Sequence, residues 1–149
     1  MAFNPRCRRA FWVRLARDRQ FWLALLAGPA FWVWRAGGMP ELSITGPRWL
    51  WLALVVPVVE ELAFRGWLQG MLAERFPQRW CGRRLSQANL LTSLLFAAAH
   101  AGVAGHWSGG LVFVPSLAFG YFRDKYQRVM PAVLLHSFYN AGFFATQGG

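Results

Sequence analysis

Apolar residues in this chain gather into long runs, and the charged ones gather between them. From 85 to 122 there are 38 residues without Lys, Arg, Asp or Glu, and from 129 to 149 there are 21 more. Between 49 and 72 the only charges are Glu60, Glu61 and Arg65. A membrane-crossing helix needs about 20 mostly apolar residues. The pattern predicts five spans, at 21–38, 49–72, two within 85–122, and 129–146. The uncharged stretch divides at the Gly-rich turn 102–110. Pro115 and several glycines interrupt the fourth span, which reads as kinked or re-entrant. Ahead of the spans, residues 8–20 set Phe11, Trp12 and Leu15 among arginines. That mixture predicts a helix lying on an anionic inner leaflet. The domain plan is therefore a basic amphipathic cytoplasmic segment, 1–20, followed by a membrane-embedded helical domain, 21–146.

The basic residues orient this plan. Lys and Arg number six before the first span, then two, four, none, three and none in successive connections, with Arg65 inside a span. High and low alternate at every crossing. By the positive-inside rule the N-terminus is cytoplasmic and the C-terminus outside. Trp22, Trp34, Trp49 and Trp80 lie near span ends, where aromatic belts sit. The first span follows a basic stretch like a signal peptide, but Arg35 follows it and no A-x-A site does, so it reads as retained.

Composition agrees. Of 149 residues 56% are hydrophobic, 17% aromatic and 15% charged, with a net charge of +10. So few charges exclude an acidic, disordered chain and could not cover a soluble domain this apolar. A nucleic-acid binder would interleave its basic residues with aromatics on one face, which this chain does not do. Cys7 and Cys81 both fall on the cytoplasmic side, where a disulfide or a two-cysteine metal site is not expected.

Ionisable residues at membrane depth are costly and usually functional. This chain has Glu60, Glu61 and Arg65 in the second span, His100 in the third and His136 in the fifth, with Asn140 beside His136. Glu61 and Arg65 are four apart and share a helix face, which predicts a buried ion pair. Glu60 points about 100° away and has no cation of its own, the setting of a usable general base. Pro57, three residues earlier, removes a backbone hydrogen bond and opens the helix there. His136 and Asn140 share a face and can both donate to an oxyanion. His100 shares a face with Phe96. His106 falls in an outer loop and reads as solvated. Counted from the cytoplasmic ends at about 1.5 Å per residue, Glu60, His100 and His136 lie roughly 18, 18 and 11 Å deep. They are expected to converge in one cavity. A Glu, two His and an Asn around buried water would make a hydrolytic centre. The same atoms suit Zn²⁺.

Three motifs carry a resemblance: Glu60-Glu61-Leu-Ala-Phe-Arg65, Phe96-Ala-Ala-Ala-His100 and His136-Ser-Phe-Tyr-Asn140. Their order, EExxxR, FxxxH, HxxxN, resembles the CPBP family, the CAAX-protease and bacteriocin-processing (Abi) family of intramembrane proteases. The likeness covers about 57–141. It implies an α-helical membrane endopeptidase, and with the spans read above the expected fold is an all-α polytopic membrane bundle of about five helices. By that resemblance Glu60 and His100 activate water, and His136 and Asn140 stabilise the oxyanion. Glu61, Arg65 and Phe96 support them. The family has been described both as glutamate-type and as metalloprotease. The metal-free mechanism is preferred here, and a zinc ion would take Glu60, His100 and His136. Eukaryotic prenyl-protein enzymes have more spans. The resemblance therefore points to a bacterial-type role at the inner membrane, such as trimming a leader, a bacteriocin or a C-terminal sorting tail. The expected partners are a membrane-anchored protein or peptide and the lipid bilayer. Two rivals share the pattern: a non-enzymatic immunity or scaffold protein, and a proton-coupled transporter using Glu60 and His100.

Overall fold

A computed structural model describes residues 5–36, 46–80 and 85–146. The last two residues of the first predicted span lie outside the described residues, as do Cys81, Arg83 and Arg84. So do the side chains of Arg6, Cys7, Arg8, Arg35 and Trp80.

Each predicted span appears as helix. Helix α1 (Pro5–Ala16) is the basic segment, and α2 (Arg19–Ala36) is the first span. The second span is one helical rod built of α3 (Gly46–Leu50), a π-helical turn (Trp51–Val55), α4 (Val56–Glu61), a second π segment (Leu62–Leu68) and α5 (Gln69–Arg75). A two-stranded antiparallel hairpin follows, β1 (Arg79–Trp80) against β2 (Leu85–Ser86), which the hydropathy pattern did not announce. Helix α6 (Gln87–Ala104) is the third span. A 3₁₀ stretch (Trp107–Val112) and α7 (Phe113–Tyr126) share the fourth, and α8 (Met130–Ala145) is the fifth.

Local chemistry sets several of these ends. Ser86 caps α6, its Oγ accepting from the Asn89 backbone N–H at 3.0 Å. Gly105 stops α6 at φ +69°, a left-handed conformation that glycine adopts without steric cost. Pro131 lies in the first turn of α8, where its missing N–H costs nothing.

The five-span expectation needs one correction. Among the described residues no single helix is long and apolar enough to cross a membrane. The reasons are local. The rod changes helix type four times, and α7 and α8 have 14 and 16 residues. Helix α6 carries Gln87, Asn89, Thr92, Ser93 and His100.

The rod's irregularity has a physical cause. Pro57 lacks an N–H and its ring crowds the carbonyl four residues back, at Ala53. The π turn Trp51–Val55 contains that position. A four-residue stride on an α-helix overshoots a full turn by about 40°. The wider π turns offset that drift. Ala53, Pro57, Glu61, Arg65 and Gln69, each four apart, are consequently all buried.

Two cores result. One is apolar: Phe11, Leu15, Phe21, Phe119, Phe122, Ala132 and Leu135 join α1, α2, α7 and α8. The other is polar and lies among the rod, α6 and α7. Gln69 Nε2 donates to the Gly120 carbonyl at 3.1 Å and to Asp124 at 2.9 Å. Ser86 Oγ donates to Asp124 at 2.5 Å, and Asn89 Nδ2 to the Leu117 carbonyl at 2.9 Å. Outside, many large apolar side chains are exposed, among them Leu23, Leu26, Trp34, Val59, Leu62, Trp67, Val103 and Trp107.

The connections rich in arginine meet at one end. Asp18 of the α1–α2 turn bonds Lys125 and Tyr126 at 2.7 Å each, and Ser86 of the hairpin reaches Asp124. At the other end the indole N–H of Trp49 donates to the Ala141 carbonyl at 3.2 Å.

Candidate active site

Glu60, Glu61, His100 and His136 come together, although they sit on three separate helices. Glu60 and Glu61 end α4, His100 is late in α6 and His136 lies mid-way along α8. Glu60 Oε1 is 3.9 Å from His100 Nε2, and Glu60 Oε2 is 3.6 Å from His136 Nε2. Both exceed a direct hydrogen bond and suit groups that share a water.

The far nitrogen of each imidazole is held. His100 Nδ1 is 3.0 Å from the Phe96 carbonyl of the preceding turn. A carbonyl only accepts, so Nδ1 carries the proton and a neutral ring turns a bare Nε2 toward Glu60. His136 Nδ1 is 2.9 Å from Glu61 Oε1, and the ring donates to that carboxylate in the same way. Phe96 lies against His100 at 4.3 Å between ring centroids, and Phe119 stacks on His136 at 5.0 Å. These contacts fix where the rings can turn.

Glu61 is held from behind. Its Oε2 is 3.4 Å from Arg65 Nε, and both side chains are 0% exposed. Arg65 Nη2 donates to Ser116 Oγ at 2.7 Å and to the Ser116 carbonyl at 3.2 Å. The guanidinium also lies over the Phe96 ring at 5.1 Å. The Glu61–Arg65 pair expected from spacing therefore exists, and its carboxylate is also the anchor of His136.

Burial grades across the site. Glu60 and His100 are 26% and 32% exposed, His136 is 6% and Glu61 is 0%. Glu60 and His100 form the accessible edge. Asn140 is one turn beyond His136, and its Nδ2 donates to the Leu52 carbonyl in the first π turn at 3.1 Å. One amide hydrogen remains for another acceptor. His106 stays apart: it is exposed and bonded to Ser108 Oγ at 2.6 Å.

Donor chemistry at the centre, a carboxylate and two imidazole nitrogens, is of the kind zinc accepts. Among the described residues no group of three or more His, Cys, Asp and Glu side chains is placed to hold a metal ion.

Spacing alone missed Ser116, Gln69, Asn89 and Asp124. A signal existed. Glu61, Arg65 and Gln69 recur every four residues, as do Ser116, Gly120 and Asp124, and all of them are buried. Gly120 has a steric duty in that seam: a Cβ there would collide with the Asn89 carboxamide.

The chain is helical over most of its described length, with the Glu60 carboxylate beside two imidazoles tethered at Nδ1. The type II CAAX prenyl endopeptidase Rce1-like family model matches residues 43–142, and the chain belongs to that family. All three motifs lie within the matched stretch. No curated protein and no solved structure matches the chain.

Proposed function

We propose that this protein is an intramembrane endopeptidase of glutamate type, cutting a membrane-anchored protein or peptide. One observation carries the reading: Glu60 stands between two Nε2 atoms whose rings are each tethered at Nδ1. A water between Glu60 and His100 can donate one proton toward each. Glu60 takes a proton as the hydroxide forms and attacks the scissile carbonyl carbon. The oxyanion that develops needs donors. His136 serves only with a proton on Nε2, and Glu61 supplies the counter-charge for the ring when both nitrogens are protonated. The remaining Asn140 N–H is the second donor. Protonated Glu60 then delivers its proton to the departing amine as the tetrahedral carbon collapses. No step is routed through a metal.

The membrane reading rests on inverted polarity. Glu61, Arg65, Gln69, Asn89, Thr92, Ser93 and Ser116 are 0% exposed, while Trp, Leu and Val side chains cover much of the outside. A protein in water rarely presents so much apolar surface. In lipid that surface is solvated, and polar side chains tie helices together. The meeting of the α1–α2 turn, the hairpin and the α7–α8 turn at one end supports a common cytoplasmic side. The five segments would cross as a packed bundle, with the site opening at Glu60 and His100.

The experiment is cleavage of membrane-anchored reporter peptides by the purified protein in detergent, with Glu60→Gln as control. Glu60-dependent cleavage is the expected result. Equal cleavage by the Glu60→Gln protein would remove Glu60 from the mechanism.

A further inference from the structure

The rod leaves the Leu52 carbonyl without a backbone donor of its own. In the first π segment the Val56 N–H donates to the Trp51 carbonyl. Two residues could reach Leu52 along the helix: Val56 in α register and Pro57 in π register. Val56 has already given its N–H to Trp51, and Pro57 has none. A carbonyl left open inside an apolar protein needs a donor from elsewhere. Asn140 of α8 supplies it, with Nδ2 donating to Leu52 at 3.1 Å. The second π segment repeats the pattern. There the Gln69 N–H passes over Arg65 to the Phe64 carbonyl, and the Arg65 carbonyl accepts from Arg123 Nε of α7 at 3.0 Å.

The Leu52 bond does two things to Asn140. A carbonyl only accepts, so the bond turns Nδ2 rather than Oδ1 toward the rod, with one N–H left over. It also fixes that carboxamide against the rod, one turn beyond His136 on the same helix face. We propose that Pro57 is a positioning residue: by keeping the Leu52 carbonyl open, it sets the Asn140 carboxamide beside His136 for the developing oxyanion. The inference rests on the endopeptidase reading and deepens it. Pro57 is buried in the rod three residues before Glu60 and acts through Leu52 and Asn140. Seating α8 does not depend on the Leu52 bond alone, because Trp49 Nε1 holds the same turn at the Ala141 carbonyl, 3.2 Å away. Loss of the Leu52 bond therefore frees the Asn140 amide and leaves the helix in place.

The test compares Pro57→Ala, Asn140→Ala and the double variant with wild type in the reporter cleavage assay. Alanine restores an N–H at 57, the Leu52 carbonyl takes a backbone donor, and the Asn140 amide is released. The kcat of Pro57→Ala is expected to fall about 10²-fold, the scale of a group misplaced by about 1 Å, with KM little changed. Its thermal midpoint is expected at or above wild type, since an interior proline strains a helix. In the Asn140→Ala background Pro57→Ala should add no further loss, because both act on one donor. The side-chain amide signals of Asn140, followed by isotope labelling and NMR in detergent, should shift in Pro57→Ala, a readout that needs no activity. Pro57→Val restores the same N–H with a fuller side chain and takes the place of an alanine variant that folds poorly. Wild-type kcat in Pro57→Ala or in Asn140→Ala, additive losses in the double variant, or unmoved Asn140 signals overturn the inference and leave the endopeptidase reading standing. Equal cleavage by Glu60→Gln overturns that reading, and the inference with it.

Discussion

His136 on α8 donates from Nδ1 to Oε1 of Glu61, 2.9 Å away and 75 residues earlier in the chain. This bond joins the two ideas that spacing kept apart. Glu61 is an ion-pair partner of Arg65, and it also sets which nitrogen of His136 faces Glu60. A single carboxylate thus links the structural seam to the candidate chemistry. Glu61→Gln keeps the side-chain shape but leaves the buried Arg65 guanidinium without its counter-charge, so it should lower the thermal midpoint as well as weaken the orientation of His136, and turnover is compared per folded protein. Cleavage is expected to fall about 10²-fold or more, the scale of a lost transition-state interaction. A kcat unchanged from wild type in a reporter assay would show that His136 needs no such partner.

Replacing Glu60 by Gln should abolish reporter cleavage while the protein melts as the wild type does. Glu60 has an unpartnered Oε2 and is partly exposed, so little packing depends on its charge. General-base loss typically costs about 10²–10⁴-fold. A parallel loss of folded protein would reassign Glu60 to the structural seam.

Arg65→Ala is expected to reduce folded protein sharply. It strands the Glu61 carboxylate in a site with 0% exposure and removes both bonds to Ser116. Breaking a buried pair from one side costs about 3–5 kcal/mol. Arg65→Met, of similar length, leaves the same charge unpaired and should also unfold early. The check is the midpoint of thermal unfolding in detergent. A midpoint within a degree or so of wild type would argue that water, not Arg65, neutralises Glu61.

Gly120→Ala should destabilise by about 1–3 kcal/mol, the usual cost of overpacking. Its Cβ would drive into the Asn89 carboxamide and crowd Gln69. Both side chains are buried and bonded to neighbouring helices, so neither can simply swing away. Adding Asn89→Ala should recover part of the loss, which a double-mutant cycle would measure.

The Asp18 latch gives a pH dependence. Burial pushes the Asp18 carboxyl up, but bonds from Lys125, Tyr126 and the Gln20 backbone N–H outweigh it, and the carboxyl lies below its ordinary 3.8. Burial and the bond to Asp18 push the Tyr126 hydroxyl well above its ordinary value. Since the folded carboxyl is the stronger acid, its stabilisation is present above 3.8 and is lost as pH falls through the lower folded value. Acid should therefore loosen the α1–α2 turn from the C-terminal end of α7. Asp18→Asn should flatten that part of the profile, read as protease nicking near Arg17 across pH.

Cleavage is also expected to survive chelation. On the glutamate-type mechanism proposed above, a chelator should leave turnover within about twofold of untreated enzyme. Activity that vanishes with chelator and returns with zinc would instead assign Glu60, His100 and His136 as ligands.

Much of this was legible along the chain. The long uncharged runs marked the helices, because a buried or lipid-facing helix cannot carry many charges. The fourfold spacing of Glu61 and Arg65 foretold their pairing, because that spacing is local to one helix. Pro57 foretold an irregularity in the rod, because a missing N–H acts on its own turn, though the chain answers it with a π turn and stays helical. Depth arithmetic put Glu60 and His100 level at about 18 Å and His136 at about 11 Å, close enough to expect them in one cavity. What remained hidden was relational. Ser116 as the partner of Arg65, Glu61 as the anchor of His136 and Asn140 bonded to Leu52 all span helices distant in sequence. The π turns that keep 53, 57, 61, 65 and 69 buried together also escaped the pattern, since hydropathy does not register a change of helical pitch. The sequence by itself determined which residues could bear charge inside an apolar protein. Only the tertiary structure decided which atoms they meet, because a hydrogen bond depends on the rotation and height of two helices together, and no single stretch of chain encodes that.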